Sequence, residues 1–188
     1  MLMPNMTTVK LDGQHDGRQL RNALGRFPTG VTVITTRAPD GKLEGLTANS
    51  FSALSLDPPL VLWSVKRNAS SLPGFLASGH FAINVLGVAQ SDLSQRFATP
   101  SENKFSGLVF EDGLGGSPVL EGVLASFECQ TESTLDGGDH VLFVGRVHKL
   151  SYHDGEPLMF NAGRYCRAQP LPMSAEMQAA SAMWADLG

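Results

Sequence analysis

The stretch Gly45-Leu-Thr-Ala-Asn-Ser-Phe-Ser-Ala-Leu-Ser-Leu-Asp-Pro-Pro-Leu-Val-Leu-Trp-Ser-Val65 is the most informative part of this chain. It sets four small residues, Thr47, Ala48, Asn49 and Ser50, before a turn and a strongly apolar strand. Small side chains let a flat ligand lie against the main chain, where N–H groups, hydroxyls and an amide can bond its polar edge. That suits a planar cofactor, apolar on its faces and polar along one side, which brings its own redox chemistry.

Working outward, Pro58-Pro59 opens the strand Leu60–Val65, with the prolines at positions that a strand tolerates. Upstream, Val31–Thr36 is β-branched and reads as a strand, followed by a turn at Pro39-Asp40-Gly41 and a second strand running into Gly45–Ser50. Leu20, Ala23, Leu24 and Phe27 recur at helical spacing, which predicts an amphipathic helix over 17–27. Downstream, Ser70-Ser71-Leu72-Pro73 reads as a helix start, with a serine cap and proline in the first turn. A strand over 81–86 and a short helix over 89–97 follow. Residues 100–118 are turn-rich and read as a surface excursion. Two long β segments, 119–133 and 139–152, join at Leu135–Asp139 as a hairpin, and a short strand over 157–162 closes the sheet. A helix is predicted over 174–187.

Many strands, few helices and no regular alternation disfavour a doubly wound sheet and favour a mainly β, antiparallel barrel with peripheral helices. The chain has 188 residues, which fits one domain. The expected division is a lead-in at 1–16, a barrel domain at 17–167 and a C-terminal extension at 168–188. Apolar residues make up 42% and charged residues 17%, the latter below the roughly 25% of an average soluble domain. The net charge is -4 with no basic block, which argues against nucleic acid as a partner. No apolar run is long enough to span a bilayer, and Met1–Asp16 lacks a signal-peptide core, so a cytoplasmic location is expected. Cys129 and Cys166 form no CxxC and read as free thiols, and no Cys/His cluster has the spacing of a metal site.

Five motifs together resemble the flavin reductase-like family, which has the FMN-binding split-barrel fold. They are Phe27-Pro-Thr-Gly-Val-Thr-Val-Ile-Thr35, Gly45–Pro59, Phe81-Ala-Ile-Asn-Val-Leu86, Gly138-Asp-His140 with Gly145, and Gly163-Arg-Tyr165, spanning about 17–167 in the family's order. The resemblance implies a split β-barrel, antiparallel and Greek-key-like. It implies an NAD(P)H:flavin oxidoreductase with FMN or FAD as flavin and NADH or NADPH as co-substrate. It further implies a homodimer that feeds reduced flavin to a partner monooxygenase component. The alternative is a non-enzymatic split barrel that binds flavin or haem.

The resemblance also assigns residues. Leu46, Thr47, Ala48, Asn49 and Ser50 would line the isoalloxazine and ribityl chain, with Phe51 turned to the core. Ser64, Val65, Lys66, Ser70 and Ser71 would hold the ribityl and phosphate, Lys66 supplying charge and the helix start supplying donors. Arg67 is an even choice between phosphate and surface. Arg96 would clamp a phosphate or adenylate, beside a mainly structural Phe97. His140 would line the nicotinamide site, with Asp139 a turn residue. Gly163, Arg164 and Tyr165 complete the set, Arg164 toward a pyrophosphate and Tyr165 stacking on a ring. Each has an ordinary structural alternative: a bulge at Gly45, a routine helix cap at Ser71, a surface arginine at 96 or 164, a half-buried tyrosine.

Overall fold

The computed structural model describes residues 6–11 and 17–172. The predicted C-terminal helix and most of the lead-in lie outside the described residues.

Seven antiparallel strands form the main sheet: β2 (Thr32–Arg37), β3 (Leu43–Ala48), β4 (Ser52–Leu56), β5 (Pro59–Lys66), β6 (His80–Val85), β9 (Ala125–Gly137) and β10 (His140–Tyr152). Their order is β3-β2-β6-β9-β10-β5-β4. Laid flat, the outer strands would stand about 29 Å apart, six spacings of about 4.8 Å. Yet β3 ends at Ala48 and β4 begins at Ser52, and four residue steps reach at most about 14 Å. The chain therefore steps directly from one edge of the sheet to the other, and the sheet must curl into a barrel with a slit between its edges.

Inside the barrel, Trp63 lies parallel to Phe143 at 4.7 Å and 14°, and meets Phe75 and Phe81 edge-on. All four are at most 1% exposed, and truncating any one to alanine would cost about 3–5 kcal/mol. Phe51 does pack on this core, 5.5 Å from Phe127. The outer face of β2 is covered too. Val31 and Val33 join Leu86, Phe97, Leu120, Val123 and Leu158 in a second cluster, which is why β2 is buried along nearly its whole length. Gly45 permits this: a Cβ there would sit 2.6 Å from the ring of Phe97 on α3 (Ser91–Ala98).

The structure corrects several expectations. The segment after Phe51 is a strand, β4, hairpinned onto β5 around Asp57-Pro58. The segment 119–133 is not one strand: β8 (Pro118–Leu120) pairs with β7 (Phe110–Asp112), and a turn with Gly122 at φ 73° precedes β9. The excursion at 100–118 therefore contains a small hairpin of its own. The strand β11 (Leu158–Asn161) does not close the main sheet; with β1 (Thr29–Gly30) and β12 (Arg164–Arg167) it forms a separate three-stranded sheet. Helix α1 (Gly17–Leu24) ends short of Phe27, and the described residues do not bury its apolar stripe, with Leu24 63% exposed and Phe27 beyond it 78%. The predicted β9–β10 hairpin is present and turns at Gly138, where φ is 69°.

Candidate active site

The slit between the barrel edges opens into a cavity of about 710 Å³. One wall is Leu46, Thr47, Ala48, Asn49 and Ser50; the facing wall is Ser64, Val65 and Lys66 of β5 with His140 of β10; Ser70 and Ser71 lie at one end and Phe97 at another side. Twelve residues from separate predicted motifs, Phe97 and His140 included, thus converge on one space. The sequence did not single out Asn68, Ala69, Ala98, Pro100 and Lys104, which also line it.

Strand β3 is an edge strand paired only to β2. Main-chain direction alternates along a strand, so Gly45 and Thr47 present N–H and C=O to the same edge. The Gly45 carbonyl is on the unpaired side, where it accepts a bond from Lys104 Nζ at 3.1 Å. Thr47 therefore turns main-chain groups toward the slit, as a planar ligand with a polar rim requires, and Asn49 lines it just beyond the strand. Lys104 also donates to the Phe97 carbonyl at 2.9 Å, tying the end of α3 to β3. Burial lowers its pKa, while Glu44 opposes the shift. The signal for it was a lysine just past a helix C-terminus, where free carbonyls attract cations.

At the other end, helix α2 (Leu72–Ser78) begins at Ser71 with proline in its first turn. The Ser71 side chain makes no capping bond although the residue is only 5% exposed, so its hydroxyl remains for a ligand. Lys66 stands next to His140 in the β5–β10 register and forms no ion pair among the described residues. Arg67 is committed elsewhere. Its Nε donates to the Gly138 carbonyl at 2.8 Å and its guanidinium pairs with Asp136, which pins the β9–β10 turn. A lysine with no ion pair among the described residues, a hydroxyl with no capping bond and an open strand edge fit the phosphate and ring of a flavin mononucleotide moiety.

His140 Nδ1 is 2.8 Å from Asp139 Oδ1, and that bond, with the imidazole beside it, lowers the Asp139 pKa. Asp139 is a turn residue, as expected, and orients His140 as well. The residues expected to meet the dinucleotide, His140 at the nicotinamide, Arg164 at a pyrophosphate and Tyr165 stacking on a ring, do not line one space. His140 lines the large cavity beside Lys66; Tyr165 lines a smaller adjoining one; Gly163 and Arg164 line neither. Gly163, at φ 81°, is the turn between β11 and β12. Arg96 also lies apart, donating to the carbonyls of Asn103 and Ser106 and bracing the loop after α3. Cys129 is fully buried, and desolvation pushes its thiol up to about 12, which leaves it no nucleophilic role.

Comparison with known proteins places the chain in a family. The flavin reductase like domain matches residues 24–169. The chain is 46% identical over 165 residues to the FMN reductase (NADH) SmoA of Agrobacterium fabrum, covering 88% of this chain and 93% of that protein. It is 42% identical over 156 residues to the flavin-dependent monooxygenase reductase subunit HsaB of Rhodococcus jostii, covering 82% and 80%. The solved structure of the Streptomyces globisporus NADH:FAD oxidoreductase SgcE6 with NAD and FAD fragments superposes with a TM-score of 0.79 at 36% identity, covering 86% and 98%. The fold and site thus define a flavin-dependent oxidoreductase of the split-barrel type. The chain belongs to the flavin reductase-like family.

Proposed function

We propose that this protein reduces FMN or FAD at the expense of NADH and passes the reduced flavin to a separate oxygenase component. The observation that carries the reading is the slit itself, where an open strand edge, Ser71 and Lys66 face one cavity. The relatives named as FMN reductase (NADH) and as a monooxygenase reductase subunit support the choice of donor and partner. The same relatives do not favour the alternative of a non-catalytic flavin or haem carrier.

Flavin supplies the two-electron chemistry, taking a hydride from a reduced nicotinamide. This chain binds and orients. Thr47 offers main-chain groups to the ring edge beside Asn49, and donors on that edge stabilise charge that builds there on reduction. Lys66, with Ser70 and Ser71 at the start of α2, holds the phosphate. His140, oriented by Asp139, would hydrogen-bond the dinucleotide or supply at the rim the proton that flavin takes up on reduction. Ser64 and Val65 form the floor, and Leu46, Ala48 and Phe97 keep water from one face.

The expected working unit is a homodimer in the cytoplasm, built from one domain at 17–167. The apolar stripe of α1, left exposed by the described residues, supports a second copy covering it. The test is oxidation of NADH and NADPH by purified protein with FMN, FAD and riboflavin. Rates above background with FMN or FAD, and a preference for NADH, are expected; no oxidation with any pair refutes the reading.

A further inference from the structure

Arg67 stands just past the end of β5, and from there it grips the β9–β10 turn three times. Its main-chain N–H donates to the Asp139 carbonyl at 2.9 Å. Its Nε donates to the Gly138 carbonyl at 2.8 Å, and its guanidinium pairs with Asp136. The turn itself is built on Gly137 and Gly138, the second at φ 69°. Glycine permits such a turn but does little to enforce it, because it leaves more backbone conformations open than any other residue. The enforcement comes from Arg67.

The next residue after that turn is His140, opposite Lys66 in the β5–β10 register. Its Nδ1 is 2.8 Å from Asp139 Oδ1. A carboxylate only accepts, so Nδ1 carries the proton of this bond. Nε2 is then the ring nitrogen left for a ligand, and His140 lines the flavin cavity. The aim of the imidazole thus depends on Asp139, and the place of Asp139 depends on the two carbonyls that Arg67 holds.

We infer that Arg67 is a positioning residue for flavin reduction: by pinning the Gly137–Asp139 turn it holds His140 in the orientation that meets the reduced dinucleotide. The inference rests on the flavin reductase reading above and on the role given there to His140. It replaces both sequence readings of Arg67, phosphate ligand and idle surface charge. The grip needs a planar fork with Nε and a terminal nitrogen aimed at two acceptors, which the point charge of a lysine does not reproduce.

The test compares stopped-flow reduction of bound FMN by NADH in wild type, Arg67→Ala, Arg67→Lys, His140→Ala and the double variant Arg67→Ala/His140→Ala. Arg67→Ala should slow reduction about threefold, the scale of losing one exposed ion pair with its hydrogen bond. FMN affinity should stay within about twofold and Tm within about 3 °C, since an exposed pair adds little to stability. Arg67→Lys keeps the charge and should stay close to Arg67→Ala. In the His140→Ala background the loss of Arg67 should add almost nothing, the non-additivity expected of residues acting as a unit. NMR titration of the flavin-free protein gives a readout apart from activity. The bond to His140, the charge of that imidazole and nearby Lys66 hold the Asp139 carboxyl below its ordinary value. In Arg67→Lys its midpoint should rise, reporting a loosened turn at constant charge. Equal slowing by Arg67→Ala in both backgrounds, full recovery by lysine, an unmoved Asp139 midpoint or a loss confined to FMN affinity would overturn the inference. A wild-type rate in His140→Ala would refute the role of His140, and a wild-type protein that does not reduce flavin with NADH would refute the parent reading.

Discussion

Ser50 and Ser64 clasp each other across the slit: the Ser50 hydroxyl donates to the Ser64 carbonyl at 3.1 Å and accepts from the Ser64 N–H at 3.0 Å. One small side chain thereby satisfies both main-chain groups of a β5 residue beyond the point where the sheet edges part. It also uses the Ser50 proton, so Ser50 shapes the flavin wall more than it feeds the flavin.

Ser50→Ala removes both bonds and strands two half-buried main-chain groups. The expected cost is about 1–2 kcal/mol, a fall in Tm of about 3–6 °C for a domain of this size. Flavin affinity should weaken with it, because the two walls are no longer held in register. Thermal unfolding and flavin titration of the same sample check both, and an unchanged Tm would remove the clasp from the account.

Lys66→Ala should weaken FMN about tenfold or more and riboflavin by less than about twofold, since only FMN carries the phosphate that the ammonium would pair with. Titration of the two flavins separates the cases. Equal losses would place the phosphate elsewhere.

The barrel and its binding wall were legible in the sequence, whereas the details that join them were not. Val31–Thr36, Leu60–Val65 and Phe81–Leu86 are apolar and β-branched because the barrel buries them, so burial wrote itself into composition. Ser52–Leu56 carries no such mark: as an edge strand it is largely exposed, and its residues read as loop. The break at Gly122 and the detachment of β11 depend on tertiary pairing that no local pattern encodes. In the site, Lys66 and Ser71 stood out by charge and capping position. Arg96 stood out equally, yet its guanidinium bonds its own loop, because a long side chain satisfies its donors with whatever carbonyls are near.

Gly145→Ala should destabilise the barrel by about 1–3 kcal/mol, because the new Cβ would fall 2.3 Å from the Phe81 ring and overpack the core. Chemical denaturation measures this. Pairing it with Phe81→Leu should recover part of the loss, a non-additivity expected of touching residues.

Cys129 should resist alkylation in the native protein at pH 8, while partly exposed Cys166 reacts. Mass spectrometry after iodoacetamide should show one adduct when folded and two when unfolded. The sign of the linkage follows from the raised thiol pKa, about 12. The stability from burying the neutral thiol is fully present below the unfolded-state value and lost as pH climbs toward the folded one.

His140→Ala should slow flavin reduction with flavin affinity largely kept, because the proposed phosphate seat is at Lys66 and Ser71 and not at the imidazole. Stopped-flow reduction is the measurement, and an unchanged rate would refute the role proposed for His140.

A crystal of the protein soaked in FMN tests the central claim most directly. The account predicts density for a tricyclic ring in the slit, along Thr47 to Ser50, with the phosphate at Lys66 and Ser71. Flavin bound outside the slit, or a slit filled by the protein's own side chains at saturating FMN, would contradict it.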